Sequence, residues 1–297
     1  MARIPEAEID VDLDLVRRLL ERQHPDLAAL PMTIAANGWD NVMVRLGDDL
    51  AVRIPRRAVA ARLVEHEQQV LPRLASRLPL DVPVPVRVGR PTPFYPWAWS
   101  VVPWRDGAAA AYSPAHERDA WAEQLADALA ALHVPADADA PANPVRGVPL
   151  AGRVDAIRAR MTGFARAGEL RAAFDRDAAA PAYTGTPLWI HGDPHPLNML
   201  CRDGALTALI DFGDVTAGDP ATDLAAAWMT FTARGRAAFI DRYTTMARTG
   251  DGADAATWLR ARAWAAGMAS SMLSASDDHA ALAAIGRHTL AQVLDAP

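Results

Sequence analysis

The chain has 297 residues, 51% of them hydrophobic, and a mean hydropathy of -0.02, which is ample for a packed core and excludes a disordered protein. The net charge is -6, and all thirty basic residues are arginines that form no basic block, so nucleic acid is not the expected main partner. Cys201 is the single cysteine, which rules out an intrachain disulfide and fits a reducing compartment, with the cytoplasm as the expected location.

The first twenty residues hold five acidic side chains and no uninterrupted apolar run, so neither a signal peptide nor an anchor is expected there. No later stretch approaches a charge-free membrane span. Leu15, Val16, Leu19 and Leu20 recur at helical spacing and predict a packed helix over 13–20, ended near Pro25. Strands are predicted over 32–36, 41–46 and 50–54, with Gly47-Asp48-Asp49 as a hairpin turn and Asn37-Gly38-Trp39-Asp40 between the first two. Alternation in the third strand puts Leu50, Val52 and Ile54 on one face and Ala51 with Arg53 on the other. A helix over 59–74 follows and carries Glu65 and Glu67.

Pro83-Val84-Pro85-Val86 reads as an approach segment and 97–102 as a further strand. Trp121, Leu125, Leu129 and Leu132 place a core helix over 114–133. The proline-punctuated segment 134–149 lacks periodicity and reads as an irregular excursion. Helices are predicted over 153–166, 220–231, 234–249, 254–272 and 279–294. The expected fold class is α+β, with a small antiparallel sheet plus helix followed by a larger, mainly helical part.

Between those helices lies the segment His191-Gly192-Asp193-Pro194-His195-Pro196-Leu197-Asn198, followed by Ile210-Asp211-Phe212-Gly213-Asp214. In kinase-type phosphoryl transfer an Asp orients the attacking hydroxyl, an Asn five residues on holds a metal, and an Asp after the next hairpin holds Mg²⁺. Asp193, Asn198 and Asp211 fill those slots in order. Met199-Leu200-Cys201 and 205–210 read as two strands joined at Asp203-Gly204, so the hairpin returns Asp211 to Asn198, where both offer the hard oxygens that Mg²⁺ prefers. Two other readings stand beside this one. Asp, Asn, Gly and Pro are ordinary turn residues, and His191, Asp193 and His195 form an H-x-D-x-H cluster suited to zinc in a metal-dependent hydrolase.

The chain resembles the aminoglycoside phosphotransferase family, small-molecule kinases related in fold to protein kinases. The resemblance rests on the H-G-D-x-x-x-x-N loop at His191 to Asn198 and the I-D-F-G strand end at Ile210 to Gly213. It implies a two-lobed fold, with a nucleotide-binding lobe over 1–103, a connection near 103–107 and a catalytic, acceptor-binding lobe over 108–297. It also implies ATP or GTP as donor and Mg²⁺ as cofactor. Arg53 stands in the slot usually held by lysine, with Glu67 chosen as its partner, although a solvated helix face suits either glutamate. Asn37 and Gly38 occupy the place of the loop that covers the nucleotide phosphates. Val101, Val102 and Trp104 are implied as contacts to the purine, while Trp97, Trp99 and Trp104 also suit plain core packing.

Gly218-Asp219-Pro220-Ala221-Thr222-Asp223-Leu224 matches a second family element. Asp219 is an N-cap candidate with Pro220 at the first helical position, and Asp219, Asp223 and His191 are expected to support Asp193. Only seven residues separate Asp211 from Asp219, too few for a protein-substrate activation segment. The expected acceptor is therefore the hydroxyl of a small molecule, an antibiotic such as an aminoglycoside or macrolide or else an ordinary metabolite. A binding protein that kept the fold and lost turnover is the alternative from another class. Aminoglycosides are polycations that call for an acidic site; from Thr216 onward the chain has eight Asp, no Glu and seven Arg, while 106–215 holds fifteen acidic residues and nine Arg, a surplus that suits either cleft lining or solvated helix surface.

Overall fold

The computed structural model describes residues 6–38, 40–246, 253–274 and 279–295. Helix α1 (Leu13–Gln23) is capped by Asp12, whose carboxylate accepts from the Leu15 amide at 2.7 Å, and it buries Val16, Leu19 and Leu20. Strands β1 (Met32–Asn37), β2 (Asn41–Leu46) and β3 (Leu50–Pro55) follow, then α2 (Ala58–Leu74), β4 (Arg87–Gly89) and β5 (Trp99–Pro103). The five strands form one antiparallel sheet in the order β1-β2-β3-β5-β4. Gly47 turns the β2–β3 hairpin at a φ of 60°, a conformation that costs glycine little.

The period-two reading of β3 describes the observed sheet. Val52 and Ile54 join Val42, Val44, Leu46, Trp99 and the α1 leucines in one apolar cluster, whereas Ala51 and Arg53 face a cleft on the other side. Helix α2 buries Ala60, Val64, Glu67, Leu71 and Leu74, a helical stripe that is apolar except at Glu67. Gln68 fastens the helix to β5 by donating to Trp99 O and Ser100 Oγ, both at 2.9 Å.

Past β6 (Ala108–Ala109) the chain becomes largely helical. The segment predicted as one helix over 114–133 is three pieces, α3 (Ala115–Arg118), a 3₁₀ turn at Asp119–Trp121 and α4 (Ala122–Leu132). The break has a cause in Asp119, whose side chain leaves the helix to accept from the amide and hydroxyl of Thr232. Segment 153–166 holds a helix, α5 (Val154–Arg160), that stops at Met161, where Thr162 and Gly163 follow and Gly163 takes a φ of 79°. A helix that the sequence pattern did not suggest, α6 (Ala167–Ala178), comes next.

Strand β7 (Leu188–Ile190), the hairpin β8 (Met199–Arg202) and β9 (Ala205–Leu209), and β10 (Thr216–Gly218) complete the strands. β7 pairs with β10, and β8 pairs with both β6 and β9. The remaining helices are α7 (Ala221–Leu224), α8 (Ala226–Thr230), α9 (Ala233–Met246), α10 (Ala255–Ser274) and α11 (Ala280–Leu294). The predicted end of α9 at 247–249 lies outside the described residues. Leu125, Leu129, Phe239, Trp264, Met268 and Ile285 belong to a second, larger core, which also takes Val70, Leu71 and Leu74 from α2. Among the described residues no helix is long and apolar enough to cross a membrane.

His288 on α11 makes this packing sensitive to acid. Its Nε2 lies 3.1 Å from Phe231 O. Burial, reinforced by the nearby Arg118 charge, pulls its pKa from 6.5 down to about 4. The unfolded chain therefore takes up a proton that the folded chain refuses, so this stability is complete above pH 6.5 and is lost as pH falls toward 4. The loss should reach roughly 2–3 kcal/mol. Urea titrations at pH 7.5 and 4.5 will show it, and His288→Gln, which keeps a donor without titrating, should flatten it. An equal loss in the variant would assign the effect to other groups.

Candidate active site

Two cavities meet in the cleft beneath the sheet. One, of about 350 Å³, lies between Ala51, Met43 and Ala36 above and Leu200 and Ile210 below, with Val102 and Trp104 at its back. The other, of about 500 Å³, runs from Asp193 and His195 to a wall formed by α5 and α10. Gly38, Asp40, Asn41, Asn198 and Asp211 line both.

The loop after β7 is built almost wholly from backbone constraints. Asp223, fully buried on α7, accepts from the amides of His191 at 2.6 Å and Gly192 at 2.8 Å. The same carboxylate lies 3.1 Å from His133 Nε2, and His133 Nδ1 lies 2.6 Å from the Tyr243 hydroxyl. Gly192 has a φ of 88°, and a Cβ there would stand 2.5 Å from Asp214 O, so no other residue fits this bend without shifting backbone.

His191 is also buried. Its Nδ1 accepts from the Asp193 amide at 3.3 Å, which leaves Nε2 to donate to Ile210 O at 3.1 Å, and its ring packs on Phe212. Both ring nitrogens are thus committed to backbone and unavailable to a metal, which removes the basis of the H-x-D-x-H zinc reading. His195 accepts from the Leu197 amide through Nδ1 at 3.2 Å, and its Nε2 faces Asp193 Oδ2 at 3.4 Å.

Asn198 donates from Nδ2 to Asp193 O at 3.0 Å, fixing the side-chain amide plane, and its backbone carbonyl accepts from the Ile210 amide at 2.9 Å. That cross-hairpin bond brings Asp211 beside Asn198. Asp211 adopts a left-handed conformation with a φ of 62°, which costs a non-glycine residue about 1–2 kcal/mol and is tolerated where the surroundings fix it. Four carboxylates, Asp40, Asp193, Asp211 and Asp214, gather around this point.

Arginines hold that charge. Arg53 is buried and bridges Glu67 at 2.9 Å and Asp211 Oδ1 at 2.7 Å. Burial pushes the Glu67 carboxyl up, against the opposing effect of Arg53. Burial would also raise Asp211, but the charge and hydrogen bond of Arg53 outweigh it and hold that carboxyl below its ordinary range. Glu65, the other candidate on α2, is exposed. Arg53→Met would strand Glu67 without a cation, and denaturant titration should find a loss of about 3–5 kcal/mol. Arg53→Lys keeps the charge and should recover most of it; equal losses in both variants would mean that guanidinium geometry, not charge, is what matters.

Several expected contacts are arranged differently. Val101 is fully buried in the sheet's own core and does not line the smaller cavity, whereas Val102 and Trp104 do. The Trp104 amide is already engaged, donating to Asp49 O at 2.7 Å. Gly38 lies in the cleft, but its amide closes the turn onto Asn41 O at 2.9 Å instead of facing outward, and Asn37 Oδ1 accepts from Arg56 at 2.8 Å. Trp39 lies outside the described residues. Asp219 caps α7 through the Ala221 amide at 3.0 Å and pairs with buried Arg260 at 2.7 Å, so its support reaches the helices and not the Asp193 loop.

The excursion 134–149 proves to be part of the site. Asn143 Oδ1 accepts from the amides of Val145 and Arg146, both at 2.9 Å, while its Nδ2 donates to Asp214 Oδ1 at 2.7 Å. This turn delivers Arg146 to Asp193 Oδ1 at 2.8 Å. Burial, with Asp193 close by, raises the Asp214 carboxyl despite Arg146 and Asn143. The local signal was Asn143-Pro144, a turn-forming pair, but nothing local points to Asp193.

An antiparallel sheet and a mainly helical body with a cleft between them define a two-lobed, kinase-like fold. Residues 32–264 match the phosphotransferase enzyme family, APH. The chain belongs to that family. A structure of aminoglycoside 2'-phosphotransferase-IIIa in complex with GDP is similar over 96% of this chain and 99% of that one, with 19% identity and a TM-score of 0.70. The apoenzyme of macrolide 2'-phosphotransferase MphH from Brachybacterium faecium is 20% identical over 96% and 98% of the two chains, with a TM-score of 0.61. A ternary complex of APH(2")-IIa with streptomycin and ATP covers 87% and 90% at 16% identity, with a TM-score of 0.58. A search of curated proteins gives no significant match.

Proposed function

We propose that this phosphotransferase moves the γ-phosphoryl group of ATP or GTP to a hydroxyl of a small molecule. The carrying observation is that the two cavities meet at Asn198 and Asp211 with Asp193 on the far side. The smaller, mainly apolar slot suits a purine between the segment 1–103 and the segment 108–297, with Val102 and Trp104 at its back. The larger cavity takes the acceptor.

In this reading Asp193 hydrogen-bonds the acceptor hydroxyl, orients its oxygen in line with the γ-phosphorus, and takes the proton as the new O–P bond forms and the bond to the nucleoside diphosphate breaks. His195 and Arg146 hold the two oxygens of that carboxylate. Arg53 supplies positive charge on the phosphate side. The Asn198 and Asp211 oxygens suit Mg²⁺, whose charge would offset the phosphates and the crowded carboxylates when bound. Asp223 and His191 keep the loop in register.

The test is nucleoside-diphosphate release with ATP and with GTP, in the presence of Mg²⁺, across aminoglycosides, macrolides, other hydroxylated antibiotics and small hydroxylated metabolites. Acceptor-stimulated release together with a phosphorylated product by mass spectrometry is the expected result. Tight Mg²⁺-nucleotide binding with no turnover on any acceptor would favour a non-catalytic nucleotide-binding protein instead.

A further inference from the structure

The larger cavity is asymmetric in charge. At its inner end each acidic side chain already has a partner: Asp193 has Arg146, Asp211 has Arg53, Asp40 has Arg57, and Asp214 accepts from Asn143. Among the described residues, the charges at its outer wall are arginines without an acidic partner. Arg153 ends the 3₁₀ turn that leads into α5 and Arg160 ends α5. The two are seven residues apart, so with Ile157 between them they share one helix face. All three line the cavity.

Among the described residues neither Arg153 nor Arg160 has an acidic partner, and the Nε of each is buried without a hydrogen-bond acceptor. Burial and then the nearby charges of Arg153 and Arg146 lower the pKa of Arg160, as expected of like charges held together without a counterion. Opposite them, α10 presents Trp264, Gly267, Met268, Ser271 and Met272 at helical spacing. Trp264 is 2% exposed, and its indole Nε1 is buried with no partner. Gly267 allows α5 to come close, since a Cβ there would stand 3.1 Å from Ile157. The wall therefore offers two guanidinium groups beside apolar surface, with the Trp264 indole N–H buried behind it.

We infer that the acceptor is a hydroxylated anion, whose carboxylate or phosphate is seated between Arg153 and Arg160 while its hydroxyl reaches Asp193. This deepens the phosphotransferase reading and rests on it. Guanidinium groups match planar carboxylate and phosphate oxygens with paired hydrogen bonds. A polycation in the same place would meet two unneutralised positive charges, so an aminoglycoside is disfavoured. Trp264, Ile157, Met268, Met272 and Leu282 cover an aliphatic body.

The experiment uses the full chain loaded with Mg²⁺ and a non-hydrolysable nucleotide, whose binding is measured first. Thermal shift and calorimetry then compare acceptor trios that share a skeleton: gluconate, glucose and glucosamine, and 4-hydroxybutyrate, 1,4-butanediol and 4-aminobutanol. The expected result is binding of the anionic member at least about tenfold tighter than its neutral or cationic counterpart. That preference should vanish in R153Q/R160Q with nucleotide affinity unchanged, and persist in R153K/R160K. Removing like charges should also leave the free R153Q/R160Q protein as stable as the parent or more so. Preference for neutral or cationic members, absence of any anion preference, or a preference that survives in R153Q/R160Q overturns the inference while leaving the phosphotransferase intact. Failure to bind nucleotide at all overturns the phosphotransferase reading and this inference with it.

Discussion

Asp193→Asn should lower kcat by about 10²–10⁴-fold while Mg²⁺-nucleotide affinity stays within about threefold. The substitution is nearly isosteric. It keeps an oxygen for Arg146, 2.8 Å away in the parent chain, and removes only the charge and the capacity to accept a proton. Asp193 lines the larger cavity and not the smaller one, so on the proposed reading binding and turnover should separate. Single-turnover diphosphate release and nucleotide titration on one preparation would measure both. Turnover within about tenfold of the parent would remove Asp193 from its assigned role.

The second large effect is one of architecture. Asp223→Ala should cost about 3–5 kcal/mol of stability, because it deprives the buried amides of His191 and Gly192, and the His133 ring, of their common acceptor. No water route replaces a carboxylate that is wholly buried. The fraction that folds should also turn over slowly, since the loop carrying Asp193 is then held less firmly. Asp223→Asn should recover only part, as its NH₂ group must face one of the same donors. Chemical denaturation separates the two variants from the parent, and a loss below about 1 kcal/mol for the alanine would mean that the loop is held by other contacts.

What could be read from the sequence follows the range of the interactions. Strand β2 matches its predicted span, and the Asp203-Gly204 turn lies where expected, with positive φ at both residues, because alternation and turn chemistry are local. The α2 stripe was equally available. Reading Ala60, Val64, Leu71 and Leu74 as one face puts Glu67, not Glu65, in the buried row. Helix α6 follows Arg166 in a left-handed conformation and carries only two large apolar side chains, Leu170 and Phe174, too few to mark a face by periodicity. The role of the excursion was out of reach for a different reason. Arg146 meets a residue 47 positions away, and only the assembled fold makes that encounter. Arg153 and Arg160 were inside a predicted helix, yet their lack of partners is a property of the packed cavity, not of the helix.

The common lining of the two cavities has a thermodynamic consequence. Gly38, Asp40, Asn41, Asn198 and Asp211 belong to both, so whatever occupies one chamber changes the charge presented to the other. Under the proposed function, nucleotide and acceptor should therefore not bind independently, and their affinities should be linked by one coupling free energy. By reciprocity, the factor by which Mg²⁺-nucleotide alters acceptor affinity equals the factor by which acceptor alters nucleotide affinity. A single molecule that spans the shared floor, joining a nucleoside to an acceptor through a phosphate bridge, would capture that coupling and the entropy of the second binding event together.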